Sequence, residues 1–328
     1  MDPALLSVSG LSVSIGNRKV VDSVSFRIRR GEILAIVGES GSGKSLTLLS
    51  LARLLPPAAR LSAGSVILDG RDLAELSEAE MGHIRGQSLS LIFQEPASSL
   101  DPLMTIGNQL IEAVLAHQSL PRDQARQRAI AMLRSVGIAD PERRMDQYPF
   151  EFSGGMCQRV MIAMALICNP AVLLADEPTT ALDVTIQAQI LDLMRKMRDD
   201  TGTAVLLITH DIGVVAEMAE RVLVMYAGVI VEEALIDDLL DHPRHPYTQL
   251  LLKSLPSLEG APKSELATIA GSVPAGGITS PGCRFAPRCP LAKTRCQQEE
   301  PPLVVLAEGH SSACWYSAEV PSLAGAKQ

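Results

Sequence analysis

The clearest chemical pattern in the chain is a short run of glycines and hydroxyls that ends in lysine and serine. Its spacing is G-x-x-x-x-G-K-[ST], a phosphate-binding pattern. The run is Gly38-Glu39-Ser40-Gly41-Ser42-Gly43-Lys44-Ser45. The glycines let backbone N–H groups close around phosphate oxygens. We therefore predict that Lys44 reaches the β- and γ-phosphates of a nucleotide and that Ser45 ligates Mg²⁺.

A second candidate is the acidic pair Asp176 and Glu177, which follows the apolar run Val172–Ala175. Carboxyl ends of parallel strands are where open α/β sheets bind ligands. We expect Asp176 to hold Mg²⁺ through water and Glu177 to act as the base that activates the attacking water. Alone, such a pair fits a solvated strand end, but beside a phosphate loop it indicates nucleotide hydrolysis.

The elements that must position these residues follow from the apolar pattern. The run Ile33–Val37 predicts a buried strand that ends at the loop, and Lys44–Leu55 has helical spacing until Pro56 and Pro57 stop it. Other predicted strands are Leu5–Val8, Leu11–Ile15, Val24–Ile28, Val172–Ala175, Ala204–Ile208 and Val222–Met225. Other predicted helices are Met104–His117, Arg122–Val136, Met156–Ile167, Val184–Arg198 and Ile212–Ala219. Residues 1–95 read mostly as strands, and the later alternation predicts α/β with a largely parallel sheet.

Composition narrows the function classes. The 328 residues carry a net charge of -8, which argues against a dedicated nucleic-acid binder. No apolar run reaches the roughly 18–20 residues needed to cross a bilayer, and the N-terminus lacks the features of a secretory signal. We expect a cytosolic chain or one held at a membrane by partners.

Four further motifs give the chain a family likeness. The segment Phe152–Arg159, with Ser153, Gly154 and Gly155, resembles the signature motif of ABC ATPases. Similarly, Gln94 resembles the Q-loop, Ala181-Leu182-Asp183 the D-loop, and His210 the switch histidine of that family. The motifs occur in the family's order and span residues 1 to about 235.

This resemblance implies a shared site. In ABC ATPases two nucleotide domains pair head to tail, so Ser153, Gly154 and Gly155 would meet the γ-phosphate of the partner's ATP. Gln94 would sense Mg²⁺ and the water, and His210 would contact the γ-phosphate. Two departures stand out. Met156-Cys157 replaces the usual glutamine and its neighbour, and Ile15 stands where an aromatic often stacks on adenine, which predicts weaker base selectivity.

Several stretches resemble the ATPases of dipeptide, oligopeptide and nickel importers. They are Phe93–Pro96, Leu100–Pro102, Tyr148–Met156, Pro178–Val184, His245–Thr248, Gly271–Pro274 and Cys314–Tyr316. The likeness implies that the chain lies at the cytoplasmic face of the cell inner membrane. There it would hydrolyse ATP to drive the import of peptides. The likeness also implies a second, different ABC ATPase, two permeases and an external solute-binding protein, with no nucleic acid. Nickel or a metal chelate stays open as cargo. A nucleic-acid-linked ABC ATPase and a non-catalytic regulatory subunit are the rival classes.

Four cysteines fall in the last part of the chain, namely Cys283, Cys289, Cys296 and Cys314. Their spacing differs from the paired pattern of zinc ribbons, and four thiolates can hold zinc or an iron–sulfur cluster. Free thiols are the third reading. The resemblance implies a [4Fe–4S] cluster, since dipeptide-importer subunits of this type carry one there. Cys157 and Cys168 fit packing positions.

Together these observations predict one architecture. It is a RecA-like P-loop ABC ATPase core of the α/β class with an N-terminal antiparallel strand layer. A helical subdomain spans about residues 97–169 and would receive the permease near Ala97–Val114. The nucleotide domain would cover residues 1–255. Residues 256–328, rich in Gly and Pro, would form a small, loop-rich, metal-binding extension.

Overall fold

The computed structural model describes residues 4–95, 99–180, 183–254, 269, 271–273 and 281–323. Parts of four predicted features lie outside these ranges. They are residue 96 of the stretch Phe93–Pro96, residues 97 and 98 of the helical subdomain, residues 181 and 182 of the D-loop, and much of the segment 256–280. The chain divides into two compact units. The first comprises Met1–Leu6, Arg27–Glu32 and Ile67–Leu207, and the second Ser7–Phe26, Ile33–Val66 and Ile208–Gln328.

Strands and helices alternate along most of the described chain. The strands are β1 (Leu6–Ile15), β2 (Arg18–Ile28), β3 (Ile33–Val37), β4 (Ala59–Leu68), β5 (Arg71–Asp72), β6 (Leu89–Ile92), β7 (Val172–Asp176), β8 (Ala204–Ile208), β9 (Arg221–Tyr226), β10 (Val229–Leu235), β11 (Val304–Ala307) and β12 (His310–Ser312). The helices are α1 (Lys44–Leu51), α2 (Glu78–Ile84), α3 (Ile106–Leu115), α4 (Arg122–Ser135), α5 (Pro141–Arg144), α6 (Gly154–Leu166), α7 (Val184–Thr201), α8 (Ile212–Met218), α9 (Ile236–Asp241), α10 (Pro246–Lys253) and α11 (Thr294–Gln298).

The first unit is built on short, buried parallel strands. β6 pairs with β7 in parallel from Leu89 opposite Val172 to Ile92 opposite Ala175. Every residue of β7 is buried, as is every residue of β8 beside it. Helix α3 packs against α4 and α6 through an apolar stripe that includes Leu110. Continuous apolar strands of this kind are typical of sheets covered on both faces.

The second unit carries a mixed sheet in the order β11-β12-β10-β9-β3. β3 runs parallel to β9, with Val37 opposite Val224, whereas β9 and β10 are antiparallel. β12 then pairs with β10, so a hairpin from the C-terminal part of the chain extends this sheet. The strands β2, β1 and β4 lie side by side in a separate sheet.

The predicted strand Ile33–Val37 has the bounds of β3, whereas the predicted helix Lys44–Leu55 is too long. α1 ends at Leu51, because Arg53 adopts the left-handed conformation (φ +54°) and the chain turns back. The amide of Leu54 donates to the carbonyl of Leu49 at 2.9 Å and that of Arg53 to Ser50 at 3.1 Å. This paired closure ends a helix before any proline is reached.

Two other regions carry more regular structure than predicted. The reading of residues 1–95 as mostly strands misses α2, which begins with a capping box between Ser77 and Glu80. The C-terminal part was predicted to be loop-rich, yet it contains α11, β11 and β12. β12 is too short to show periodicity in sequence, and it forms because the free edge of β10 offers it hydrogen bonds.

Candidate nucleotide-hydrolysis site

The phosphate loop lies in the second unit, between β3 and α1. Gly38 has φ +153°, and a Cβ there would stand 2.1 Å from the carbonyl oxygen of Met225, so only glycine fits. The Lys44 ammonium is buried, at 6% exposure of the residue. It donates to the carbonyls of Gly38 at 2.7 Å and Glu39 at 3.0 Å. Ser45 is exposed at the start of α1, where a helix N-terminus favours anions.

Glu39, inside this loop, is held by residues that sequence reasoning did not single out. Its backbone amide donates to the phenolic oxygen of Tyr247 at 2.8 Å. Its carboxylate forms an ion pair with Arg288 at 3.0 Å. No spacing rule links positions this far apart in the sequence, so only the fold reveals these partners.

The acidic pair lies in the first unit, where β7 ends. Asp176 is 8% exposed, whereas Glu177 is half-buried and has a left-handed backbone (φ +47°). The amide Nε2 of Gln94 donates to the Glu177 carboxylate at 3.2 Å, and the Thr180 hydroxyl donates to the same oxygen at 2.8 Å. The structure therefore brings Gln94 and Glu177 together. Thr180 was missed, although it belongs to the stretch Pro178–Val184 that carries the family likeness.

The signature residues lie at the N-terminus of α6. Ser153 caps this helix, with its hydroxyl accepting from the Met156 amide at 3.4 Å. Ser153, Gly154 and Gly155 line a cavity of about 450 Å³ together with Asp183, the residue of the predicted D-loop that the structure describes. Asp183 in turn caps α7. Two helix N-termini thus meet at one open cavity, a setting that favours a bound anion.

The buried side chain of Gln158, one turn into α6, donates to the carbonyl of Pro178, just after the acidic pair. This contact ties the signature helix to the end of β7 within the first unit. The substitution at Met156-Cys157 leaves the helix intact, because Cys157 is buried and its Sγ contacts the Pro149 carbonyl at 3.5 Å. Burial raises the pKa of the Cys157 thiol, as expected for a packing residue.

The remaining predicted nucleotide residues lie in the second unit. His210 is exposed just after β8, and the next residue, Asp211, caps α8 through the Gly213 amide at 2.8 Å. Ile15, at the end of β1, is 39% exposed, so it presents an aliphatic surface where an aromatic was the family expectation.

The four C-terminal cysteines line one small cavity of about 20 Å³ in the second unit. None of the four forms a disulfide. Burial raises the pKa of Cys289 to about 11 and that of Cys314 to about 12, and repulsion from the neighbouring cysteine sulfurs adds to both shifts. Within the described ranges, however, no three His, Cys, Asp or Glu side chains converge closely enough to hold a metal ion. The metal-bound tail therefore stays a prediction.

Comparison with known proteins defines the class first. An ATP-binding cassette solved as a dimer in a post-hydrolysis state, bound to ADP and Pi, matches with a TM-score of 0.63 at 29% identity, over 70% of this chain and 98% of that one. A cassette from Clostridium perfringens, part of the ABC transporter complex cbiONQ, matches with a TM-score of 0.64 at 26% identity, over 73% and 91%. These likenesses and the mixed α/β sheets fit a RecA-like core and make the chain an ABC ATPase.

Sequence relatives then give the family. Residues 21–180 match the ABC transporter family, and residues 231–296 match the oligopeptide/dipeptide transporter C-terminal region. A "Probable peptide ABC transporter ATP-binding protein" of Sinorhizobium fredii is 52% identical over 93% of this chain and 91% of its own length. The dipeptide transport ATP-binding protein DppD of Escherichia coli is 47% identical over 95% and 97%. The chain belongs to this family of dipeptide and oligopeptide ABC transporter ATP-binding proteins.

Proposed function

We propose that this chain hydrolyses ATP to ADP and phosphate and so energises import of di- or oligopeptides by an ABC transporter. One observation carries the proposal. Relatives named for dipeptide and oligopeptide transport match nearly the whole chain, including its C-terminal region. In this proposal residues 1–255 are the nucleotide domain and residues 256–328 the family-specific extension. Residues 97–169 are the helical subdomain that receives the permease.

The proposed chemistry assigns one role to each site residue. Glu177 takes a proton from water, whose oxygen attacks the γ-phosphorus while the bond to the β,γ-bridging oxygen breaks. The hydrogen bonds from Gln94 and Thr180 orient that carboxylate. Lys44 contacts the β- and γ-phosphates, and His210 contacts the γ-phosphate. Side-chain oxygens suited to Mg²⁺ come from Ser45, Gln94 and Asp176, and the ion supplies neutralisation of phosphate charge when bound.

The site is completed by a second ATPase subunit in this proposal. Ser153, Gly154 and Gly155 lie at a helix N-terminus that opens onto a cavity. They would meet the γ-phosphate of ATP held by the partner's phosphate loop, and Asp183 would face the same junction. The partner is proposed to be a different ATPase, which gives a heterodimer on two permeases, supplied by an external solute-binding protein.

We place the chain peripherally, at the cytoplasmic face of the cell inner membrane, because its relatives are named as transporter subunits. In the part of the chain that the structure describes, no helix is both long and apolar enough for a membrane crossing. Co-purification with its permeases, followed by ATPase assays with a peptide panel and with nickel, tests the cargo. Peptide-stimulated hydrolysis is expected. Stimulation of ATP hydrolysis by nickel alone would overturn the assignment of peptides as cargo. Stimulation by DNA or RNA would overturn the proposed transport function.

The C-terminal extension is proposed to hold a [4Fe–4S] cluster through Cys283, Cys289, Cys296 and Cys314. Support comes from the donor set, because all four cysteines line one cavity and four thiolates can hold such a cluster. The cluster would supply a structural cross-link. Iron and sulfide analysis of anaerobically purified protein tests this, and a colourless, zinc-loaded protein would contradict it.

A further inference from the structure

The C-terminal segment that carries the four cysteines, described here over residues 281–323, contacts the phosphate loop directly. Arg288 stands immediately before Cys289, and its Nη1 lies 3.0 Å and 3.2 Å from the two carboxylate oxygens of Glu39. The Arg288 side chain is 8% exposed and that of Glu39 is 24% exposed, so the pair is largely withdrawn from solvent. Ion pairs in such surroundings are screened less than surface pairs. The contact therefore joins the phosphate loop to the segment that carries the four cysteines.

Arg288 is fixed by its own surroundings. Phe285, one turn earlier in the same segment, packs edge-on against Tyr226, with ring centroids 5.2 Å apart, and at a tilt against Tyr247, with centroids 5.4 Å apart. The guanidinium lies over the Tyr226 ring at 5.8 Å, and its Nη2 donates to the carbonyls of Ile269 and Gly271. A guanidinium held on several sides loses little further freedom when it binds a carboxylate.

Glu39 is held at its backbone as well. Its amide donates to the Tyr247 hydroxyl, and its carbonyl accepts from Lys44. Tyr247 is fully buried, and it touches Phe285 of the cysteine-bearing segment. Of these contacts at Glu39, the ion pair with Arg288 exists only while that segment is docked.

The charges of the ion pair connect this contact to nucleotide binding. ATP brings several negative charges to the loop, and the Glu39 carboxylate adds another unless it is neutralised. We propose that Arg288 is a positioning residue of the nucleotide site, which neutralises Glu39 and fixes the loop, so that the docked C-terminal segment sets the affinity for ATP. The inference rests on the proposed nucleotide site. It makes the segment a regulator of that site in addition to a family-specific attachment.

The same segment supplies a matched control. The Arg284 side chain is 11% exposed and pairs at 2.7 Å with Glu300 of the same segment. It also pairs at 2.6 Å with Asp22, which lies outside the segment, so Arg284 helps to dock the segment as well. Neither partner belongs to the phosphate loop. If the ion pairs serve docking alone, loss of Arg284 and loss of Arg288 have equal effects on the nucleotide.

The experiment measures the affinity of the full-length chain for Mg²⁺ and a non-hydrolysable fluorescent ATP analogue. Arg288→Gln is expected to weaken binding about tenfold, since an unneutralised unit charge then lies near a multiply charged ligand. Arg288→Lys retains the charge and most of the affinity. Arg284→Gln leaves the affinity within about twofold of wild type. Limited proteolysis of each variant reports whether the segment is still docked.

A rescue variant separates charge from packing. Arg288→Gln combined with Glu39→Gln removes both charges and is expected to recover most of the affinity. Equal losses in Arg284→Gln and Arg288→Gln, an unchanged affinity in Arg288→Gln, or a double variant as weak as Arg288→Gln alone would each overturn the inference. Lys44→Ala tests the proposed site separately. If it still binds the analogue at wild-type affinity, the site itself is wrong, whatever Arg288 does.

Discussion

Neighbouring carboxylates at the end of β7 have different surroundings, and the difference fits two different tasks. Asp176 is almost fully buried, whereas Glu177 is half-buried and accepts hydrogen bonds from Gln94 and Thr180. The left-handed backbone of Glu177 is uncommon for a non-glycine residue and is typical of positions where a side chain must point in a set direction. A buried oxygen ligand and an oriented base are what hydrolysis at a phosphate requires.

Glu177→Gln is therefore expected to lower ATP hydrolysis by about 100-fold or more, because an amide cannot accept the proton of the attacking water. Nucleotide affinity should stay near that of wild type, since the phosphate loop is untouched. Steady-state ATPase assays and analogue binding measure the two quantities separately. The exposed Glu75→Gln serves as the matched control. Equal hydrolysis by wild type and Glu177→Gln would show that Glu177 is not the base, and equal transport would favour a non-catalytic regulatory subunit.

At the scale of elements, three helices that begin at or beside predicted site residues have side-chain caps, whereas α1, which follows the phosphate loop, has none. Ser153 caps α6, Asp183 caps α7 and Asp211 caps α8. Helix α10 is capped by His245, whose Nδ1 accepts from the Tyr247 amide at 3.1 Å. A ring nitrogen accepts only while it is unprotonated, so this cap depends on the charge of His245.

That dependence predicts a loss of stability in acid. Burial lowers the pKa of His245 from 6.5 to about 3. The unfolded chain takes up a proton below its pKa, while the folded chain stays neutral. The free energy of unfolding therefore falls as the pH drops below 6.5, the His245 pKa of the unfolded chain, toward about 3, its pKa in the folded chain. At about pH 5 the loss amounts to ~2 kcal/mol.

The test compares the free energy of unfolding at about pH 5 and pH 7.5 for wild type and for His245→Asn, which keeps a capping oxygen without titrating. The variant should show a smaller pH dependence, whatever its absolute stability. His242→Asn, at an exposed position, is the control. An unaltered pH dependence in His245→Asn would show that another group causes the acid sensitivity.

Docking of the C-terminal segment depends on a buried ring. Phe285 is 1% exposed and contacts both Tyr226 and Tyr247. Phe285→Ala is expected to cost about 3–5 kcal/mol of docking free energy, the usual range for a buried aromatic. The segment should then become sensitive to limited proteolysis under conditions where wild type resists. Phe150→Ala, at a ring 74% exposed, should leave that resistance unchanged.

The sequence predicted best where local rules decide the structure. The run Ile33–Val37 is apolar at every position and forms β3, and the glycine spacing after it places Lys44 and Ser45 at the start of α1. Helix α2 also had a readable signal, the capping box Ser77–Glu80. Contacts between segments distant in the sequence had no such signal. The pairing of Arg288 with Glu39 requires the fold, because charge alone does not choose partners.

At the scale of the whole molecule, the cavity at the signature helix is lined by Ser153, Gly154, Gly155 and Asp183, four residues predicted to face a partner subunit. We propose that a second ATPase subunit occupies this cavity with the ATP bound to its own phosphate loop. Binding and association are then separate events. ATP binds one chain through the phosphate loop, and the bound phosphates afterwards draw in the signature helix of another chain through its N-terminal amides.

Gly154→Asp tests this separation. A Cβ at Gly154 meets no atom within 4 Å, so the substitution adds charge without a clash. Because the new carboxylate would repel the partner's γ-phosphate, ATP-driven association with the second ATPase should be lost, while analogue binding to the isolated chain persists. Sedimentation of the mixed subunits, made with Glu177→Gln to prevent turnover, measures association. Gly82→Asp, equally unobstructed in α2, is the control. Undiminished association of Gly154→Asp would mean that the signature cavity does not meet the partner's nucleotide.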